Sequence, residues 1–430
     1  LDEALHLAEG ASETVGIASA ARDRTVGEER QARSGFLPQV GAGASYVRLL
    51  ESQFGDVELE PGDSTDGNAF GDLPFGQPNT WNLGLSLQQT VFDWRVVGRS
   101  RAAAAIRRTA ELDLGVQRAQ VVLDVATAYY DALLADRLVQ IAESTLSQTE
   151  RTLRDVELGH QVGTVPEYDV LRARVARDNQ RPSVIQRRND QEIAYIRLRQ
   201  LLDLPQESPL VLASPIPSGD SLEVTPLPQV TAEFRQSADT LGVLRAGVRA
   251  SEEQVRARKG LYDEALGEAL PVVSLGSDYG RIGFGSDVVP SWDRWVNDWS
   301  LTARVSLPLF TGGRLAGQRE AAQADVRSAQ LELRRAEELA VRDSVAVRRN
   351  VEAAEAAWSA TRGTVAEAER AYQIAEIRFR EGVSTQTELA DARLAFERAG
   401  LTEATAARDV LVARLQETLL PWLPLGTAAR

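Results

Sequence analysis

The chain contains no cysteine and no methionine. Without thiols it has neither disulfides nor thiolate metal sites. Lys259 is its single lysine, so the positive charge is nearly all arginine. Only two histidines occur, His6 and His160, far apart and without the spacing of a metal site. No run approaches the ~18 apolar residues of a membrane-spanning helix, so hydropathy alone describes a soluble protein. No nucleophile elbow, phosphate loop or HExxH is present. Gly280-x-x-Gly283-x-Gly285 has the wrong order for a dinucleotide loop and reads as loop. The expectation is a protein that is not an enzyme and takes no cofactor or metal. A net charge of −14 over 430 residues argues against a nucleic-acid partner. With Leu1 first and no Met, an initiator and any targeting segment are expected to lie outside this sequence.

What is present is a repeated alternation. In Trp299–Arg314 the residues Trp299, Leu301, Ala303, Val305, Leu307 and Leu309 alternate with Ser300, Thr302, Arg304 and Ser306. In Trp81–Val96, Trp81, Leu83, Leu85 and Leu87 alternate with Asn82, Gly84, Ser86 and Gln88. Period two marks a strand with one apolar and one polar face. About ten residues is the length a tilted strand needs to cross a bilayer. Each run ends in a Phe-then-turn signal, Phe92-Asp93 or Phe310-Thr311-Gly312-Gly313, and leads into an Ala-rich helical pattern. The two copies are 218 residues apart at both ends (299 − 81 and 310 − 92), so the chain is internally duplicated.

The first repeat is placed at 1–204. A helix over 1–35 ends at Phe36-Leu37-Pro38, since proline cannot continue it. A strand hairpin spans 38–92, its first strand carrying Val40, Ala42, Ala44 and Tyr46, with a loop over 48–80. A long helix over 94–158 follows, about 60 residues or near 90 Å. Its seam is Ala119, Val122, Ala126, Tyr129 and Leu133. A return helix covers 167–202, with Pro182 as an expected kink or break. A Pro-rich linker over 205–228 leads to the second repeat at 229–430. There a helix from Gln229 precedes a strand hairpin at 271–310, a long helix at 315–380 and a return helix at 385–420.

Four strands cannot close a membrane barrel, which needs at least eight. An open sheet in lipid leaves edge N–H and C=O groups unpaired at several kcal/mol each. Two chains at minimum must therefore share one barrel, while the charged long helices stay in water.

This order, the Leu-Pro entries, the Phe-turn exits and two matching turn signatures together resemble the TolC-like outer membrane efflux proteins. The signatures are Gly163-Thr164…Asp169-Val170-Leu171-Arg172-Ala173 and Gly382-Val383…Glu388-Leu389-Ala390-Asp391-Ala392. The resemblance covers essentially the whole chain. It implies a homotrimer in which a twelve-stranded transmembrane β-barrel accompanies a long α-helical barrel. It also implies outer-membrane lipid around the strands and a long periplasmic extension. The function implied is an exit duct for small molecules or type I secreted proteins, with a periplasmic adaptor and an inner-membrane pump as partners.

Glu388 and Asp391 lie three apart on one helix face. By itself this is a solvated acidic face. The resemblance implies a periplasmic gate, where three copies make two carboxylate rings that favour cations. Asp169 is the first-repeat counterpart of Glu388, but Arg172 replaces the second acid, so that turn's contribution is weaker or neutralised. Ser384 stands where the best-known member of the family has an arginine, which puts a salt-bridge lock in doubt. Val162-Gly163-Thr164 and Gly382-Val383-Ser384 read as helix-hairpin turns. By resemblance they are also the adaptor-docking tips. Tyr46, Trp81, Tyr279 and Trp299 sit at strand ends, as interface aromatics do. The rival reading is a soluble periplasmic coiled-coil scaffold with small sheets at its end.

Overall fold

A computed structural model describes residues 1–51, 77–213, 244–285, 287–288 and 291–426. Outside them lie 52–76 of the expected loop, 214–228 of the linker, 229–243 of the helix placed after it, and 286 and 289–290.

The elements are α1 (Asp2–Ala11), α2 (Glu13–Ser34), β1 (Gln39–Arg48), β2 (Asn79–Phe92), α3 (Trp94–Gln161), α4 (Glu167–Leu201), α5 (Ala246–Gly267), β3 (Val272–Gly285), β4 (Trp295–Ser306), α6 (Arg314–Thr361), α7 (Thr364–Arg380) and α8 (Gln386–Leu419). Three boundaries differ from the sequence reading, each for a local reason. The first helix is two, because Ser12 is extended and its hydroxyl accepts the Val15 N–H at 3.4 Å, capping α2. The second long helix is also two, because Gly363 sits at φ 80° between α6 and α7. Pro182 breaks nothing: α4 runs through it from Glu167 to Leu201.

Two compact units form, and each draws on both halves of the duplicated sequence. One comprises Arg24–Arg107 and Glu253–Gln330, the other Leu1–Asp23, Arg108–Glu252 and Leu331–Arg430.

The first unit holds a single sheet, antiparallel throughout, in the order β1-β2-β3-β4. The two expected hairpins are thus joined by β2–β3 pairing. Beside the sheet, α3 and α5 approach backbone to backbone. A Cβ on Gly98 would overlap the Glu264 backbone nitrogen, and one on Gly260 or Gly267 would stand 2.6 Å from the nitrogen of Ala102 or Arg95. Asp93 links strand to helix without a spare residue: its Oδ1 accepts the Arg95 N–H at 2.9 Å. The Arg95 guanidinium hydrogen-bonds the same carboxylate and holds its pKa below the usual range. The other exit needs more chain, with Gly312 and Gly313 both in left-handed conformation before α6.

The second unit is helical. The α3 seam is fully packed, with Ala119, Val122 and Ala126 at 0% exposure, and meets Leu5 of α1, Leu198 of α4, and Val410 and Leu415 of α8. Each such Leu or Val contributes about 1.5–3 kcal/mol by leaving water. The segment after α8 is fastened to this core. Trp422 lies on Gly115 and Leu425 on Gly247, where no side chain intervenes. Arg245 pairs with Asp343 at 3.0 Å and also donates to the Leu423 and Pro424 carbonyls. Gly426 N–H donates to Asp343 at 2.6 Å. Burial pushes the Asp343 carboxyl up. Arg342, the Gly426 N–H and Arg245 together outweigh it and hold the pKa below the usual range.

Candidate functional site

Strand register decides which side chains share a face of the sheet. Tyr46 pairs Trp81, Ala44 pairs Leu83, and Ala42 pairs Leu85. Leu85 pairs Tyr279, and Tyr279 pairs Trp299, with Ser277 opposite Leu301 and Val273 opposite Val305. Side chains alternate along a strand, so these residues stand together on one face. Val40, Leu87, Leu275 and Ala303 join them. The other face carries Gly41, Ser86, Asp278 and Ser300 in one row and Gly43, Gly84, Gly280 and Asp298 in the next. All four strands are therefore greasy on the same side and polar on the same side. The apolar side is open in the single chain, with Leu301 80% and Val40 73% exposed. That is the reverse of a water-soluble sheet, which turns its apolar face to a core.

Aromatics mark both ends of this face. At one end Tyr46 lies against Trp81 at 4.7 Å between ring centres, and Tyr279 meets Trp299 edge to face at 6.3 Å. Trp81 Nε1 donates to the Val288 carbonyl and Tyr46 Oη to Asn79, so each polar tip has a partner. At the opposite end Phe92 faces Val273, and Leu309 and Phe310 are 90% exposed. The eleven steps from Trp81 to Phe92 span about 36 Å at ~3.3 Å each. A strand tilt of ~40° reduces this to about 28 Å, close to the ~25 Å apolar band of a membrane barrel. Sequence reasoning used Phe92 and Phe310 only as turn markers. Their recurrence at the same offset was the available signal for a second rim.

At the far end of the helical unit, the two turns have the same backbone. Gly163 and Gly382 sit at φ 81° and 71°. Thr164 N–H reaches back to the Gly159 carbonyl, as Val383 N–H does to Arg378. These are the closing bonds of a helix stop with left-handed glycine. The His160 ring hydrogen-bonds the Val165 carbonyl at 2.9 Å, a structural role in the first turn. Thr385 caps α8, its hydroxyl accepting the Glu388 N–H at 3.3 Å. Glu388 thus opens α8 and Asp169 opens α4, where helix dipoles favour anions.

The turns are also cross-linked. Arg172 donates to the Thr387 hydroxyl at 2.6 Å. Gln386 is 8% exposed between the hairpins. With its amide turned to match its neighbours, its nitrogen donates to the Asp169 carbonyl and its oxygen accepts the Ala173 N–H at 3.1 Å. Leu153, Val156, Val170 and Ala173 pack behind this pair, with Phe379 against them. Glu388 and Asp391 are exposed, and neither side chain has a partner among the described residues. Val162 and Val383 are 69% and 67% exposed at the turn tips. Thr387 and Gln386 escaped the sequence reading, since their partners are remote in sequence.

Among the described residues no helix is long and apolar enough to cross a membrane, and no cluster of His, Asp and Glu could hold a metal. The profile of the family described as outer membrane efflux protein matches residues 4–203 and 241–417. The chain belongs to the outer membrane efflux protein family. It is 23% identical over 416 residues to the outer membrane protein TolC of Escherichia coli, covering 92% of this chain and 77% of TolC. It is 26% identical over 238 residues to the solvent efflux pump outer membrane protein SrpC of Pseudomonas putida, covering 53% of this chain and 47% of SrpC. Over 247 residues it is 28% identical to the alkaline protease secretion protein AprF of Pseudomonas aeruginosa, covering 55% of this chain and 48% of AprF. It thus spans about half the length of several curated relatives it matches. In fold it is similar to the outer membrane protein VceC of Vibrio cholerae, with TM-score 0.77, 19% identity, and 99% and 96% of the two chains covered. The outer-membrane channel OprN has the same TM-score at 22% identity, covering 98% of this chain and 90% of OprN. For this efflux-family chain, the greasy sheet face and the tip turns are the two places where geometry and family meet.

Proposed function

We propose that this chain is one third of an outer-membrane exit duct. The observation that carries the reading is the sheet: four strands in register, apolar on one face, polar on the other, with β1 and β4 as edges. The twelve residues of β4 present about a dozen edge N–H and C=O groups, at several kcal/mol each in lipid. Because strand directions alternate, β1 of one copy meets β4 of the next antiparallel, and a head-to-tail ring leaves no edge. Two copies would give eight strands, an interior that side chains fill. Three give twelve, with Ser86, Gln88, Asp278, Asp298 and Ser300 lining a wet bore.

The helices stand in the periplasm, as their Arg, Asp and Glu cannot enter lipid. The tip turns form the periplasmic end, with Glu388, Asp391 and Asp169 repeated around the axis as acidic rings. Val162, Gly163, Thr164, Gly382, Val383 and Ser384 offer the adaptor its docking surface. Energy comes from an inner-membrane pump, since the duct has no catalytic machinery of its own. The cargo is a small molecule or a secreted protein.

Purified protein added to a planar lipid bilayer should give cation-selective current steps. Glu388→Gln with Asp391→Asn should reduce that selectivity. Absence of any conductance from correctly assembled protein would reject the duct.

A further inference from the structure

The second hairpin contains a joint that the first lacks. α3 is unbroken from Trp94 to Gln161, and α4 is continuous even through Pro182. By contrast the helical path of α6 and α7 is interrupted at Arg362-Gly363, with Gly363 at φ 80° and ψ −26°. Its freed carbonyls are taken over by neighbouring hydroxyls. Thr361 donates to the Trp358 carbonyl at 2.7 Å, and Thr364 to Ala360 at 3.4 Å. Arg362 N–H shortens its reach to Ser359 at 3.3 Å. Hydroxyls that bond back along a helix soften and bend it.

The other arm is softened at the same height. Tyr372 and Phe396 stack at 6.1 Å, which fixes the level of α7 against α8. Nine residues up from Tyr372 is Gly363, and nine residues on from Phe396 is Thr405. There Thr402 and Thr405 donate back to the Arg398 and Leu401 carbonyls at 2.8 and 2.9 Å. Gly400, just below, leaves room beside Ile141: an added Cβ would come within 3.3 Å of its Cδ1. Above the break Trp358 is 3% exposed in the main core, with the Arg362 guanidinium 5.4 Å from its ring centre. The upper side of the joint is therefore anchored. Below it, the tip is held to the first hairpin mainly by the Arg172–Thr387 and Gln386 contacts and the small cluster at Phe379.

The geometry points to a hinge at Gly363, crossed on α8 near Thr402–Thr405, about which α7 and the start of α8 swing as one arm. This rests on the tip being the gate. Gly382 lies 19 residues beyond Gly363, about 28 Å of helix, so a bend of about 10° moves Glu388 and its neighbours by about 5 Å. Such a displacement is enough to widen a narrow acidic ring while α3 and α4 stay still.

The test uses the full-length protein in lipid. Since the chain has no cysteine, Val383→Cys accepts a single spin label per copy. The label-to-label distance distribution should be broad or two-peaked in the parent and collapse to one narrow peak in Gly363→Ala, which favours continuous helix. Gly317→Ala, at an open helical position, should leave the distribution unchanged. An unaltered distribution in Gly363→Ala overturns the hinge. Should Gly363→Ala fail to fold, hydrogen exchange on the unsubstituted protein decides. Amides at 359–364 should exchange at least about tenfold faster than those at 141–149 of α3, and equal protection overturns the hinge. Exchange is read without any current, so loss of the duct reading and loss of the hinge are separate outcomes.

Discussion

Arginine in place of Leu85 tests the sidedness of the sheet most sharply when set against arginine one residue on, at Ser86. Leu85 lies on the apolar face between Ala42 and Tyr279, four residues from Trp81 and seven from Phe92, near mid-depth between the aromatic rims. At the bilayer midplane an arginine on the lipid face costs about 2–4 kcal/mol per copy, and so about 6–12 kcal/mol in a three-copy barrel. Ser86 lies on the polar face in the row of Gly41 and Asp278, where an arginine keeps its water and has a carboxylate nearby. The expected cost there is within about 1 kcal/mol. The readout is the fraction of each variant recovered from outer membranes as a detergent-stable oligomer. Leu85→Arg should lose nearly all of it and Ser86→Arg should retain it. Equal recovery, or the reverse order, would refute the assignment of faces.

Three further outcomes follow from packing and charge. Gly98→Ala places a methyl where the Glu264 backbone already sits, so α3 and α5 must separate; a loss of about 1–3 kcal/mol should appear as a lowered midpoint of thermal inactivation. Arg245→Ala strands Asp343, which is 0% exposed, and should cost about 3–5 kcal/mol and make the C-terminal segment accessible to protease. Asp343 has a folded pKa below its unfolded value, so its contribution is complete above about pH 4 and is lost as pH falls through the folded pKa. Amide exchange at 423–426 should therefore rise in acid, and Asp343→Asn should remove that pH dependence.

Much of this architecture was legible because it is written locally. Alternation at Trp299–Ser306 and the three-four rhythm of Ala119–Leu133 are local periodicities, and the glycine turns at Gly163 and Gly382 are local punctuation. The β2–β3 pairing was not legible, since Leu85 and Tyr279 meet across almost half the chain and alternation says nothing about which hairpin neighbours which. The break at Gly363 was hidden because one glycine inside an Ala-rich helical pattern costs only about 1 kcal/mol and helices often carry it. The acidic residues at the tip stood out as charges. The contacts that hold the tip did not, because Arg172 and Thr387 are 215 residues apart and Gln386 has no motif to announce it.

Mass and symmetry of the purified particle in mild detergent bear most directly on the central claim, that each copy supplies a third of a ring and its neighbours satisfy its sheet edges. Three copies of 46.9 kDa, about 141 kDa of protein with threefold symmetry and one barrel per particle, are expected. A stable 46.9 kDa monomer, or a dimer with the sheet faces turned inward on each other, would contradict it.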